Sequence, residues 1–371
     1  MIVHSNGKGL VLEPARKPRA VIGAGVIGLG RSGEFFHCRP IEDAAAFNLV
    51  GVHDALPDVS ARVASKYECR NFKDHRDLIS CPDIDLVIVA VPTNAHYDLA
   101  LDAIAAGKNV LIEKPFARSS AEAEEMFAAG KRAGVFVGAF HNRRFDPDVR
   151  ALKEVLDSGV LGPVLKVSIH LHSYTRRKDW QTRREMGGGA LSNWGAHALD
   201  WCLHLFGRDI TFLHGRLLQV LNPGDAEDSF ILTLEAGETA IEIEYLNFVA
   251  KPLPKWHVVG KFGTAISKGK TFQVRYCDPS LLGSLKVDTG SASDGTYGIN
   301  EDLRWTEREV PWGHWDNCPL YLESLYGHLT DGAPVPVSPE EVLAELRLME
   351  KIRTSPVRSF HSPDVHAGGV A

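Results

Sequence analysis

Two short stretches hold residue types that can do chemistry together. Glu113-Lys114-Pro115 follows the apolar run Val110-Leu111-Ile112 and so offers a lysine at a strand end. Gly187-Gly188-Gly189-Ala190-Leu191-Ser192-Asn193-Trp194-Gly195-Ala196-His197 reads as a helix opened by three glycines, with an imidazole one turn beyond Asn193. An ammonium can polarise a hydroxyl and an imidazole can take its proton, the acid–base help that alcohol oxidation by a nicotinamide needs. Upstream, Gly23-Ala24-Gly25-Val26-Ile27-Gly28 has the G-x-G-x-x-G spacing of a dinucleotide-binding turn. Lys114, Asn193 and His197 are therefore the candidate catalytic group of a dinucleotide-dependent dehydrogenase.

The elements that must position these residues alternate in type. Arg19 to Ile22 is a brief apolar run feeding the glycines, and Val26-Ile27-Gly28-Leu29 is expected to continue as helix. Leu49 to His53 reads as the next strand, with Asp54 at its end. Asp54 lies 26 positions past Gly28, more than the usual ~20, which implies a longer turn. Its carboxylate suits a ribose and repels a 2′-phosphate, favouring NAD over NADP. Asp85 to Val91 is an unbroken apolar strand ending in the polar loop Pro92-Thr93-Asn94-Ala95-His96, where ligands bind in open α/β sheets. A helix from Tyr97 stops at Gly107, Ser119-Ser120-Ala121-Glu122 is a capping box, and Val135 to Phe140 is another strand. Residues 19–140 thus predict a doubly wound parallel sheet of Rossmann type.

From His141 the pattern changes. Pro163 to Tyr174 alternates apolar and polar, Phe230 to Leu234 and Ala240 to Phe248 read as a hairpin, and Trp256 to Ile266 and Thr271 to Cys277 add strands. Asp288 to Gly298 is a polar, glycine-rich loop. Two helices close the chain, one around Tyr321 to Leu329 and one opened by Ser338-Pro339-Glu340-Glu341. The expected architecture is a dinucleotide-binding domain over 1–140 and an α+β domain over 141–371. On a helical wheel Asn193, His197, Asp200 and His204 share one face. Asp200 then either orients His197 or meets a substrate hydroxyl, and two imidazoles seven apart make a poor metal site. The segment Tyr174-Thr175-Arg176-Arg177-Lys178-Asp179-Trp180 to Arg183 and Arg184 runs into the glycine triplet, which points to Tyr174, Trp180 and Arg183 as substrate contacts. Trp180 and the Trp312-Gly313-His314-Trp315 cluster could stack on a sugar ring or fill the core.

Composition narrows the field. At 371 residues two domains are expected, and a net charge of −6 gives no general attraction to nucleic acid or anionic membrane. No apolar stretch reaches the ~18 residues of a membrane helix, and Met1 to Ala20 does not read as a signal peptide. The six cysteines are widely spaced without a C-x-x-C pair, as in a reduced cytoplasmic protein without zinc or disulfides.

Taken together, Gly23 to Gly28, Asp54, Pro92-Thr93-Asn94 to His96, Glu113-Lys114-Pro115, Asn142-Arg143-Arg144-Phe145 and Gly187 to Asp200 resemble the glucose–fructose oxidoreductase/inositol dehydrogenase (Gfo/Idh/MocA) family. The resemblance implies a Rossmann domain followed by an α+β domain with a large open, mostly antiparallel sheet, through which the chain forms a homodimer or homotetramer. It implies cofactor contacts from Gly23, Gly25, Val26, Ile27, Gly28, Asp54, Pro92, Thr93, Asn94, His96, Glu113, Lys114 and Arg143. It also implies oxidation or reduction of a secondary alcohol of a sugar, glycoside or polyol, with Lys114 polarising the hydroxyl and His197 as acid/base. Asn193 stands where many members carry an aspartate, so an orienting amide replaces a charge. Two other activities suit the same motifs: transient oxidation within an epimerase or lyase that retains NAD, and a non-catalytic NAD-binding regulator.

Overall fold

β-branched and small apolar residues build the first sheet. In the computed structural model, which describes residues 21–285, 303–314 and 316–360, six strands pair in parallel: β1 (Ile22–Ile27), β2 (Phe47–His53), β3 (Arg70–Asn71), β4 (Leu86–Val89), β5 (Asn109–Ile112) and β6 (Val137–Ala139). Their order, β3-β2-β1-β4-β5-β6, reverses direction of winding at β1. The four residues of β4 are all fully buried, as an unbroken apolar run at a sheet centre requires. The crossovers carry α1 (Arg39–Asp43), α2 (Pro57–Lys66), α3 (His75–Ser80), α4 (His96–Ala105) and α5 (Ser120–Ala133).

One expectation fails here. Gly23, Gly25, Val26 and Ile27 do not open a helix; they lie inside β1, buried. The turn from strand to helix is Gly28-Leu29-Gly30-Arg31-Ser32-Gly33, which has the same G-x-G-x-x-G spacing five residues further on. Gly33 begins a π-wound segment (Gly33–Cys38) that runs into α1. Asp54 is then 21 residues past the last glycine of the turn, so no long turn is needed.

α6 (Pro147–Asp157) leads into a second, nine-stranded sheet: β7 (Val164–His172), β8 (Ile210–Gln219), β9 (Ser229–Ala236), β10 (Thr239–Leu246), β11 (Trp256–Gly260), β12 (Gly263–Lys268), β13 (Thr271–Cys277), β14 (Trp305–Pro311) and β15 (Val357–Ser359). The order is β14-β13-β12-β11-β7-β10-β9-β8-β15, antiparallel except for β10 with β7 and β15 with β8. The 230–248 hairpin forms as expected, whereas α6, β8, β14 and β15 carried no clear pattern in the sequence. Asp288 to Gly298 and Trp315 lie outside the described residues.

Three further helices are α7 (Ala196–Phe206) and α9 (Pro339–Arg353), which pack on each other, and α8 (Asn317–Asp331), which packs on α1 and the Asn142–Phe145 turn. Trp201 of α7 and Trp256 of β11 are fully buried with ring centres 5.5 Å apart, and truncating either would cost ~3–5 kcal/mol. α9 starts with the capping box Ser338/Glu341 and proline in its first turn, as its sequence indicates. It packs on β8 of the second sheet and is tied to α5 of the first domain: Arg347 pairs with Glu124 at 2.7 Å, and Glu350 accepts from the Ser120 N–H at 2.6 Å. Among the described residues, no helix is long and apolar enough to cross a membrane.

Candidate active site

Lys114 leaves the end of β5, and Asn193 and His197 come from the first turns of the helix behind the glycine triplet. In that triplet Gly187 and Gly189 have φ of +78° and +115°, and a Cβ on Gly187 would sit 2.9 Å from the Thr93 Cβ. The absence of side chains thus lets the two halves of the chain meet at this point. The helix does not start as an α-helix. Leu191–Gly195 is π-wound and continues directly into α7, a feature frequent at functional sites. This wider turn shifts the phase between Asn193 and the residues of α7, so Asn193 does not share the face of His197, Asp200 and His204 as the wheel assumed.

The Lys114 ammonium donates to the Asn193 side-chain oxygen at 3.0 Å and to its backbone carbonyl at 3.2 Å. Burial lowers the Lys114 pKa to about 8, with Arg143 and Arg177 pushing the same way and Glu113 opposing. His197 is 5% exposed, and its Nδ1 has no hydrogen-bond partner. Burial, reinforced by the charges of Lys114, Arg143, His141 and Lys255, holds its pKa well below the usual imidazole range. The ring is neutral at pH 7, with a lone pair or a proton to offer. Asn193 was expected to orient His197 or the substrate; its observed partner is Lys114.

The glycine turn has three distinct positions. Gly28 takes φ +90° against the Ala90 carbonyl, Gly33 packs so tightly that a Cβ would strike the Gly28 carbonyl, and Gly30 faces open space. These are the tight turn, the close helix–strand packing and the room for a pyrophosphate that a dinucleotide site needs. The Leu29 N–H donates to one Asp54 oxygen at 2.7 Å and the Leu56 N–H to the other at 2.9 Å, which aims the carboxylate along this turn. Pro92, Thr93 and Asn94 line the neighbouring turn at the carboxyl end of β4.

Several expected contacts are already spent elsewhere. His96 is fully enclosed, its Nε2 on the Val91 carbonyl (2.9 Å) and its Nδ1 on those of Pro115 (3.1 Å) and Phe116, so it shapes the lysine turn from behind. Glu113 bonds His37 at 3.0 Å and the Lys114 N–H at 3.1 Å; burial opposes its charge, but His37 and Lys114 outweigh that and hold its pKa below the ordinary value. Asp200 is 2% exposed, accepts from Arg144 Nε at 2.8 and 3.0 Å and lies at ion-pair distance from Nη2 (2.7 Å), which leaves it no route to a substrate or to His197. Tyr174 and Trp180 are 65% and 38% exposed, Arg183 pairs with Glu185 on the surface, and none of the three lines the cleft beside Asn193.

Other residues take their place. A small polar cleft beside Asn193 is lined by Arg177, Gln181, Glu227 and Tyr245, and the side-chain oxygen of Gln181 is buried there without a partner. Trp194 sits between Arg143 (4.6 Å from its ring centre) and Tyr245 (6.2 Å), with His197 edge-on at 5.8 Å. Trp312 instead packs on Phe272. Gly30 and Gly33 were detectable from their spacing to Asp54; Gln181 and Tyr245 carried no signal of their own.

Comparison with known proteins agrees with this layout. Residues 22–141 match the NAD-binding Rossmann-fold model of the GFO/IDH/MocA oxidoreductase family, and residues 149–266 match a GFO/IDH/MocA C-terminal domain. The uncharacterized oxidoreductase YhhX of Escherichia coli is 30% identical over 339 residues, 89% of this chain and 96% of its own. The scyllo-inositol 2-dehydrogenase (NADP(+)) IolW of Bacillus subtilis is 25% identical over 92% of this chain and 95% of its own. The crystal structure of YhhX superposes with a TM-score of 0.75 at 24% identity, covering 91% of this chain and 97% of that one.

Proposed function

The chain belongs to the GFO/IDH/MocA oxidoreductase family, and from that premise we propose that it oxidises or reduces a secondary alcohol of a polyol or sugar, with NAD preferred to NADP. The observation that carries this reading is the juxtaposition of Lys114, anchored on Asn193, with a buried, neutral His197 whose Nδ1 is unpartnered. An inositol-like ring is the leading substrate, supported by the named activity of IolW and by the polar cleft beside Asn193.

The turn Gly28 to Gly33 and Asp54 would hold the dinucleotide, and NAD preference rests on the carboxylate, which repels a 2′-phosphate. The nearby cations Arg62 and Lys66 are taken up by Glu34, at 2.8 Å each. Bound there, the nicotinamide supplies the acceptor or donor of a hydride. Lys114 donates a hydrogen bond to the reacting oxygen and stabilises the negative charge that grows on it. His197 takes the hydroxyl proton on oxidation and returns it on reduction. Asn193 fixes the direction of the lysine without adding a charge. The six unpaired cysteines suit a cytoplasmic enzyme. The large open sheet is the surface through which the family resemblance would have the chain form a homo-oligomer.

The test is NADH formation at 340 nm across inositols, aldoses, uronates and glycosides. Turnover of at least one class, faster with NAD than with NADP, supports the proposal. Tight NAD binding without conversion of any of them contradicts it in favour of a regulator; conversion without net NADH marks the transient-oxidation alternative.

A further inference from the structure

Behind His197 lies a buried cluster of charge that the reaction does not touch. His141, just past β6 and 0% exposed, has Nε2 at ion-pair distance from Glu345 of α9 (2.7 Å) and Nδ1 on the side of Asp200 of α7 (3.9 Å), with neither nitrogen in a directed hydrogen bond. The same Asp200 is gripped by Arg144, whose Nη1 reaches Glu341 of α9 at 3.0 Å. The two sides of one imidazole ring therefore face two carboxylates. A neutral ring would turn a lone pair toward one of them, whereas an imidazolium donates to both.

We propose that His141 is a positioning residue: an imidazolium bridge that ties the last strand of the N-terminal sheet to α7 and α9 and so holds the His197 ring in place opposite Lys114. This rests on the acid–base reading of His197 given above. The charged and titratable groups that act on the bridge are Asp200 and His197 from α7, Glu345 from α9 and Arg144 beside it. Burial works against a charge on His141, but Asp200 and Glu345 outweigh it and raise its pKa. Its positive charge in turn adds to those that keep His197 neutral. One ligand atom each of His141, Asp200 and Glu345 lies within 4.8 Å of the others, but the Arg144 guanidinium already bound to Asp200 sets a positive charge beside that point, which favours an imidazolium over a metal ion as the counter-charge.

The experiment is histidine NMR on the full chain, labelled with ¹⁵N and ¹³C in the imidazoles, without substrate. Wild type is expected to show His141 with both nitrogens protonated at pH 7, and the near-isosteric Glu345→Gln to lose that signature. In His141→Gln, His197 is expected to titrate at higher pH than in wild type, which a merely structural loss would not produce. A neutral His141 in wild type, or a His197 titration unmoved by His141→Gln, overturns the proposal. If His141→Gln does not fold, the Glu345→Gln spectrum decides. The readout needs no turnover, so failure of the acid–base reading, seen as full activity in His197→Ala, is a separate result.

Discussion

Two histidines on opposite sides of the same interface are treated in opposite ways. His197 faces the cleft with Nδ1 unpartnered, and burial among positive charges keeps it neutral. His141, behind it, stands between two carboxylates that raise its pKa. The same division runs along one helix, where His197 is left unsatisfied and Asp200, three residues on, is saturated by Arg144. The proposed proton-exchanging ring is set among positive charges, whereas His141 is set between carboxylates. Function and rigidity are thus separated by about one helical turn.

That comparison breaks if the reactive side tolerates change. Lys114→Ala is expected to lower kcat by ~10²–10⁴-fold while leaving NAD affinity and thermal stability close to wild type. Kinetics at 340 nm with calorimetric NAD titration check this; a parallel loss of NAD affinity would assign Lys114 to cofactor binding alone. On the saturated side the effect is on folding. Asp200→Ala leaves the Arg144 guanidinium buried with an unpaired face, which costs ~3–5 kcal/mol of a total stability of ~5–15 kcal/mol. Urea unfolding reads it, and a loss below ~1 kcal/mol would mean that the buried pair does not hold the helix.

The ease of reading the two regions from sequence differed for a physical reason. The parallel strands announced themselves because burial on both faces demands unbroken apolar runs, as in Leu86-Val87-Ile88-Val89. Lys114, Asn193 and His197 were visible because glycines and a strand end bracket them. The glycine turn itself was placed five residues early, since two overlapping runs share the G-x-G-x-x-G spacing and only strand length separates them. The charge cluster was invisible: His141, Asp200 and Glu345 come from three distant segments, and pairing across a fold leaves no local pattern. The wheel misplaced Asn193 because of the π-wound turn, which no residue pattern in Leu191 to Gly195 signals, and it could not show that Arg144, from a distant segment, occupies Asp200.

Smaller effects sharpen the comparison. Asn193→Asp is expected to fold normally and to raise the Lys114 pKa from about 8, because a carboxylate replaces the amide oxygen that now accepts from the ammonium. The basic limb of the pH profile of kcat/KM then moves to higher pH, and an unmoved limb would take Asn193 out of the lysine's control. The smallest effect concerns stability against pH. His141, raised in the folded state, contributes stability that is full below the ordinary imidazole value of 6.5 and lost as pH rises through its folded pKa. His197, lowered, does the reverse: the stability of its neutral form is present above 6.5 and lost as pH falls toward its folded pKa. Melting temperature measured from pH 5 to 9 should therefore lose its acid-side fall in His197→Gln and its alkaline-side fall in His141→Gln. Identical profiles for the two variants would erase the distinction between the histidines.

The most direct measurement is the turnover of His197→Ala on the polyol or sugar that wild type oxidises fastest, with NAD affinity measured on the same preparation. A neutral, unpartnered imidazole that exchanges the hydroxyl proton predicts a ~10²–10⁴-fold fall in kcat with NAD affinity unchanged. A kcat close to wild type in a correctly folded His197→Ala protein would contradict it and remove this histidine from the reaction.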